Sequence, residues 1–405
     1  MKISYLIDRE PFDKIFEETF SLFLDNFIDH SHTVKWHPKS HYNKKSSLTQ
    51  LWYCNPLINS IFVKGANPSV FNSISGEYAN NPLKPWRSLI QRLYLGLAKF
   101  KFTAPLLSKY AIYITPPIED AKNKLIIGGN TKIRLIDFAN RKVYVILKNG
   151  FDKKYLDKEI YVRTNFPNLP IPKIHTYGNN GLWYSEEYIS GKSPDRVSGN
   201  KGHDALLKAI QYLHKMLNET KKREALTEYV ACLQDRIYKN IDQISRIDTS
   251  VKDKISDLVS TIVTHLDKSS YHDICTAYCH GDFQQGNVLC DGDKIWILDW
   301  EYSGKKQIGY DLFVLLLKSR VSKGFSNRFI NWMKNNAVDE YKELINCWPE
   351  IKLNMEAIKE IYLLLFLLEE LDFHLSENDN NLFWGISIGL NDFYKELEKI
   401  VIELI

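Results

Sequence analysis

Residues 277–304 read "AYCHGDFQQGNVLCDGDKIWILDWEYSG", a strand-like apolar run broken by His280, Asp282, Asn287 and Asp299. Within it, "NVLCDGDKIWILDW" is two short apolar segments joined through Asp291 and Gly292, the composition of a two-stranded hairpin. A hairpin brings its entry and its exit side by side. Asn287 stands at the entry, Asp299 at the exit, and Asp282 in the loop that leads in, so polar groups spread over residues 282–299 converge at one mouth.

That convergence suits one kind of chemistry. A carboxylate and an asparagine side-chain oxygen presented together are hard ligands, suited to Mg²⁺ that also bridges a substrate's phosphates. A separate carboxylate, five residues before the asparagine, is placed to take the proton of an attacking hydroxyl. Phosphoryl transfer divides its labour in this way, with metal charge and positioning doing most of the catalysis. The bland alternative is a turn-rich hairpin whose polar side chains cap backbone groups.

The 405 residues, 44% apolar and 13% aromatic, are enough to bury a sizeable core in two or three domains. Asp8, Glu10 and Asp13 stand where a signal peptide needs an apolar run, and the longest apolar stretch, residues 361–368, is far too short to cross a bilayer. The six cysteines form no CxxC pair, which predicts reduced thiols and a cytoplasmic location. The net charge of +4 is unevenly spread. Residues 30–117 hold eleven Lys and Arg against one acid, Glu77, so that block is +10 and the rest of the chain −6. Such a block attracts anions.

Along the chain, residues 10–28 place Phe12, Ile15, Phe16, Phe20, Phe23, Leu24 and Phe27 at three- and four-residue spacings, predicting an amphipathic helix with an aromatic face. "PWRSLIQRLYLGLAKFKF" predicts a helix with Pro85 near its start. After Lys122, "KLIIGGN", "TKIRLID" and "KVYVILK" follow one another with short breaks, as in an antiparallel meander. "DKKYLDKEIYVRTNF" reads as a helix, "PKIHTYG" and "LWYSEEYIS" as strands, and from about residue 202 helices dominate.

"HGDFQQGN", the aspartate of "ILDWEYSG" twelve residues beyond its asparagine, and "GYDL" further on together resemble the aminoglycoside phosphotransferase and choline kinase family. The resemblance spans about residues 120–375 and implies an α+β, bilobal protein-kinase-like fold. Its antiparallel-sheet small lobe would occupy residues 119–191 and its mainly helical large lobe 192–405, behind a basic N-terminal accessory region at 1–118. It implies ATP and Mg²⁺ as cofactors, Asp282 as the catalytic base, and Asn287 and Asp299 as metal ligands. His280 is then a structural member of the catalytic loop, and Asp311 braces that loop through its backbone. Lys148, ending "VYVILK", falls where the fold keeps its phosphate-contacting lysine. Glu159 is its expected ion-pair partner, with Asp157 not separable from it by sequence. Glu187, Tyr188 and Ile189 fall at the hinge that receives the base. Gly128 and Gly129 are the only trace of a phosphate loop, and two glycines also make an ordinary hairpin turn.

Departures from protein kinases narrow the acceptor. Gly281 replaces the arginine that pairs with a phosphorylated activation loop, Gln284 replaces a lysine, and only eleven residues separate Asp299 from Asp311. A small-molecule or saccharide hydroxyl, rather than a peptide, is the expected acceptor. Trp348, Tyr362, Phe373 and Trp384 lie in the C-terminal helices that close the acceptor pocket in this family, and aromatic residues at helical spacing are more often core. The basic block suits an anionic membrane at the cytoplasmic face, or an anionic acceptor, better than nucleic acid. The alternative function is a non-catalytic nucleotide-binding module that docks through this block.

Overall fold

The computed structural model describes residues 2–28, 31–38, 48–78, 85–100, 102–197, 200–335, 349–385 and 388–404. Trp348 lies outside them. The backbone divides into two compact units, the first made of residues 1–157, 171–192 and 196–198, the second of 158–170, 193–195 and 199–405.

Unit 1 opens with α1 (Ile3–Arg9) and α2 (Phe12–Ile28), followed by β1 (Thr33–Pro38), β2 (Gln50–Asn55) and β3 (Ser60–Val63). Three helices come next, α3 (Pro68–Tyr78), α4 (Pro85–Lys99) and α5 (Ala104–Leu107), then β4 (Tyr110–Thr115). The expected meander is β5 (Lys124–Gly128), β6 (Lys132–Asp137) and β7 (Lys142–Leu147). Helix α6 (Lys154–Asn165) leaves for unit 2 after its first turn, and β8 (Ile174–Tyr177) and β9 (Trp183–Glu187) return.

These strands form one nine-stranded sheet in the order β1-β4-β2-β3-β5-β6-β7-β9-β8. Strands from the first 118 residues, expected as an accessory region, and strands from the expected small lobe thus share one sheet. Ile61 of β3 pairs with Ile126 of β5, so the early strands extend the sheet that continues into the meander. The aromatic face of α2 seals the junction: Phe16 and Phe20 stack at 5.3 Å, and Phe23 meets Trp183 edge-on at 5.4 Å. The core they share, with Trp36, Trp52, Ile126, Ile133 and Ile146, draws on both sides of residue 118. Burying one such aromatic side chain contributes roughly 2–3 kcal/mol, and this core spans both stretches.

Unit 2 runs α7 (Lys201–Thr220), β10 (Lys222–Ala225), α8 (Leu226–Gln243), α9 (Thr249–Asp267), β11 (Asp273–Cys279), β12 (Val288–Asp291), β13 (Lys294–Ile297) and β14 (Gly304–Gln307). It ends in α10 (Tyr310–Leu316), α11 (Phe325–Asn335), α12 (Pro349–Ser376) and α13 (Ile388–Leu404). β12 and β13 pair from Val288↔Ile297 to Asp291↔Lys294 around Gly292, whose φ of 57° suits the turn. β11 lies between β10 and β14 in a separate small sheet. No described helix is long and apolar enough to cross a membrane.

Candidate active site

The loop between β11 and β12 carries His280, Gly281 and Asp282. Asp311, at the start of α10, is fully buried and accepts the backbone N–H groups of His280 (2.6 Å) and Gly281 (2.8 Å), tying the loop to the helix. Gly281 has a φ of 84°, and a Cβ there would lie 2.0 Å from the Tyr302 carbonyl oxygen. Only glycine fits this turn, so the arginine of protein kinases is excluded sterically as well as by sequence. His280 Nε2 lies 2.8 Å from the Leu298 carbonyl, and its Nδ1 lies 3.2 Å from the Asp282 N–H. These partners require a neutral ring protonated at Nε2, donating on one side and accepting on the other.

The Asp282 carboxylate is held from three sides. Gln284 Nε2 donates to its oxygens at 3.1 and 3.3 Å, Asn287 Nδ2 to Oδ2 at 3.0 Å, and Arg320 Nε to Oδ1 at 2.6 Å. Asn287 Nδ2 also donates to the Asp282 carbonyl, 2.8 Å away, which turns the amide oxygen to the opposite side. Leu298 donates its N–H to the Asn287 carbonyl at 2.8 Å, so Asp299 follows directly beside Asn287 at the hairpin mouth. Asp299 takes left-handed backbone angles, φ 60° and ψ 59°, an uncommon conformation that aspartate tolerates better than most residues. A carboxylate and an outward amide oxygen are hard donors that fit Mg²⁺.

Arg320 extends the network. Its Nη2 donates to the Gly281 carbonyl at 2.9 Å, its Nη1 pairs with Glu370 Oε2 at 2.5 Å, and its guanidinium lies 3.6 Å from the centre of the Phe373 ring. Burial alone would lower the Arg320 pKa, but Glu370, Tyr310 and Asp282 outweigh it and hold the guanidinium well above its ordinary value. Burial pushes Glu370 up, and Arg320 together with His374 more than reverses this, so the carboxyl sits below the usual range. Of the aromatic residues expected near an acceptor, Phe373 is the one in contact with Arg320; the Tyr362 hydroxyl accepts the Cys275 N–H at 2.8 Å, and Trp384 is exposed.

In unit 1, Lys148 is fully buried. Its Nζ lies 2.5 Å from Glu10 Oε1, 2.7 Å from the Asn130 carbonyl, and within 5.2 Å of the Phe12 and Phe151 ring centres. Arg9 donates to Glu10 Oε2 at 2.7 Å and to both the side chain and the carbonyl of Asn130. The N-terminal segment therefore delivers an acid to the lysine and a cation to the turn of Gly128, Gly129 and Asn130. Glu159, which belongs to unit 2, is also buried, and Arg163 donates to it at 2.6 Å. Gly128 has a packing reason to be glycine: a Cβ would come 2.9 Å from Leu6 Cδ1 and 3.0 Å from Ile3 Cγ1. Gly129 has a turn reason, since its Cβ would approach the Lys132 carbonyl to 2.7 Å. At the expected hinge, the Glu187 N–H goes to the Lys173 carbonyl (3.0 Å) and the Tyr188 N–H to the Arg141 carbonyl (2.9 Å).

A family model described as choline/ethanolamine kinase matches residues 155–399. The chain belongs to the choline/ethanolamine kinase family. It is a phosphotransferase whose acceptor is a hydroxyl, and its two units, one built on an antiparallel sheet and one mainly helical, have the α+β make-up that the sequence leads one to expect. Among curated proteins no sequence matches this kinase. Its similar solved structures include an ethanolamine kinase from Plasmodium vivax, at 14% identity and a TM-score of 0.46, covering 84% of this chain and 95% of that one. The choline kinase LicA from Streptococcus pneumoniae is 12% identical with a TM-score of 0.42, covering 71% and 92%. A thermostable mutant of aminoglycoside phosphotransferase APH(4)-Ia is 12% identical with a TM-score of 0.39, covering 69% and 90%.

Sequence reasoning missed Glu10, Arg320 and Glu370 in this kinase. Glu10 precedes Pro11 between two helices and carried a signal only as a charge against a leader; Arg320 sits in "KSRVSKG", which reads as a loop. Neither is linked to its partner by spacing, because 138 residues separate Glu10 from Lys148 and 38 separate Arg320 from Asp282.

Two more buried groups on α12 give a pH dependence of stability. Burial pushes Glu369 up to about 7, while it accepts the Gln307 N–H and the Tyr229 hydroxyl. The folded protein thus keeps a proton between about pH 4.5 and 7 that the unfolded chain has lost, and this group's stability falls as pH rises across that window. Burial lowers His374 to about 4, so the folded protein refuses a proton that the unfolded chain binds between about pH 4 and 6.5, and stability falls as pH drops there. Each slope is worth about 3 kcal/mol in opposite directions, and the wild type should be nearly flat between pH 4.5 and 6.5. Glu369→Gln should unmask the histidine, giving a urea midpoint that climbs with pH over that range. An equally flat profile in the variant would refute the offset.

Proposed function

We propose that this kinase transfers the γ-phosphate of ATP, with Mg²⁺, to the hydroxyl of a small molecule or saccharide, with Asp282 as the base. The carrying observation is the Asp282 carboxylate fixed by Arg320, Gln284 and Asn287 at the hairpin mouth beside Asp299. In this reading Asn287 Oδ1 and Asp299 hold the Mg²⁺, which would neutralise charge developing on the transferred group. His280 and Asp311 keep the loop rigid. Lys148 would steady the phosphates near the Gly128 and Gly129 turn with Glu10 as its acid, the part that the sequence assigns to Glu159, whose carboxylate accepts from Arg163. The adenine edge falls to the Glu187 and Tyr188 carbonyls and to Ile189, because the first two N–H groups are already committed. The family points to amine-bearing alcohols of the choline and ethanolamine kind as first acceptors, with amino sugars and lipid-linked sugars next. Residues 30–117 bring a further anionic partner into this reading, a membrane surface touched peripherally or an anionic acceptor. An acceptor panel with Mg·ATP and mass detection tests it. One acceptor gaining a phosphate supports the proposal, and ATP binding without transfer to any member counts against it.

Glu10→Gln keeps the shape of the N-terminal segment and removes its charge. Lys148 then loses the ion pair with Glu10, and KM for ATP should rise by about tenfold, while affinity for adenosine stays unchanged. A fall in KM would show that the carboxylate competes with phosphate.

A further inference from the structure

Helix α4 carries two apolar faces. One is turned inward: Ser88, Leu95 and Ala98 are buried, and the Tyr94 hydroxyl accepts from Asn55 Nδ2 at 3.0 Å, which pins the helix beside β2. The other is turned out. Trp86, Leu89, Ile90, Leu93, Leu97 and Phe100 are each at least half exposed, and at 3.6 residues per turn they fall in one stripe about 100° wide. Phe102, 85% exposed, and Leu106 prolong the stripe beyond the helix. A helix packed on a sheet ordinarily turns charge to water, and contiguous apolar patches of this extent mark interaction sites.

We propose that this face lies in the surface of an anionic lipid bilayer. Charge complementarity selects that occupant. Between Glu77 and Glu119 the sequence has six Lys and Arg (residues 84, 87, 92, 99, 101 and 109) and no acid. By helical phase Arg92 flanks the stripe on one side, where a cation meets headgroups while the apolar residues enter the acyl boundary. Trp86 at one end and Phe100 and Phe102 at the other are side chains suited to the interface. At 15 residues, α4 is about 22 Å long, too short to cross, so it rests in the interface plane. A protein partner or a second copy would have to match a surface with no acid of its own to balance six cations.

The inference concerns unit 1 and does not depend on turnover, so it is tested without acceptor or nucleotide. The full chain is sedimented with vesicles of phosphatidylcholine alone or mixed with phosphatidylglycerol. Strong binding to the mixed vesicles, weakened by salt and reduced roughly tenfold or more in Leu89→Glu/Leu93→Glu, is the expected result. Arg92→Glu should weaken binding to anionic vesicles while leaving the weak binding to neutral ones unchanged. Absence of binding to either vesicle, or binding equal in wild type and double variant, overturns the proposal. So does a dimer in analytical ultracentrifugation that the double variant dissociates, since a second copy then covers the face. Should the double variant unfold, as an altered thermal midpoint would show, Phe102→Glu repeats the test at an exposed position outside the helix.

Discussion

Asp282→Asn should lower the rate of phosphate transfer by about 10³-fold, within the range a positioned base supplies, while the Kd for Mg·ATP stays within about twofold. The substitution keeps the side chain's shape, so the loop held by Asp311 and His280 remains. An amide cannot take the proton of the acceptor hydroxyl. It also meets a donor problem: Arg320 Nε points at one carboxylate oxygen, and Gln284 and Asn287 point chiefly at the other. Whichever way the amide turns, its NH₂ faces a donor, which costs about 1–3 kcal/mol of stability. Single-turnover transfer and equilibrium nucleotide binding, measured separately, read the two effects. Unchanged transfer would remove Asp282 from the role of base.

Arg320→Met should destabilise the protein by about 3–5 kcal/mol, the usual consequence of removing one member of a buried ion pair. Glu370 is fully buried and would be left charged with its main cation gone. Asp282 would lose the donor that fixes Oδ1, and transfer should fall by about 10²-fold even under conditions where the variant is folded. The double variant Arg320→Met/Glu370→Gln removes both charges and should recover much of the stability but none of the transfer rate. That split separates the two roles of the arginine. Stability of the single variant within 1 kcal/mol of wild type, in urea denaturation, would contradict the geometry, because a buried unpaired carboxylate is never that cheap.

The geometry of the candidate catalytic loop was legible because its constraints are local. His280, Asp282, Asn287 and Asp299 lie on one hairpin and the loop before it, where period, turn residues and spacing bring groups together without help from the rest of the chain. The meander of β5, β6 and β7 was legible for the same reason. The N-terminal region was not. Its +10 charge suggested a separate block, whereas strand order, invisible in a single sequence, merges it with the meander in one sheet. Gly128 and Gly129 show the other kind of limit: glycine permits a phosphate loop, a tight turn or close packing equally, and only the neighbours Leu6, Ile3 and Lys132 discriminate.

By itself the sequence placed the groups of the proposed chemistry, Asp282, Asn287, Asp299 and Lys148, in kinase order, with Gly281 and a short link to Asp311 arguing against a peptide acceptor. Tertiary structure alone decided who holds those groups in place. Glu10 reaches Lys148 because α1 and α2 fold onto the sheet, and Arg320 reaches Asp282 because the turn after α10 comes back past the loop. The physical reason is range. Turn chemistry and strand period act over a few residues, while an ion pair needs only that two side chains meet within hydrogen-bond distance, and no periodicity encodes a meeting across 138 positions.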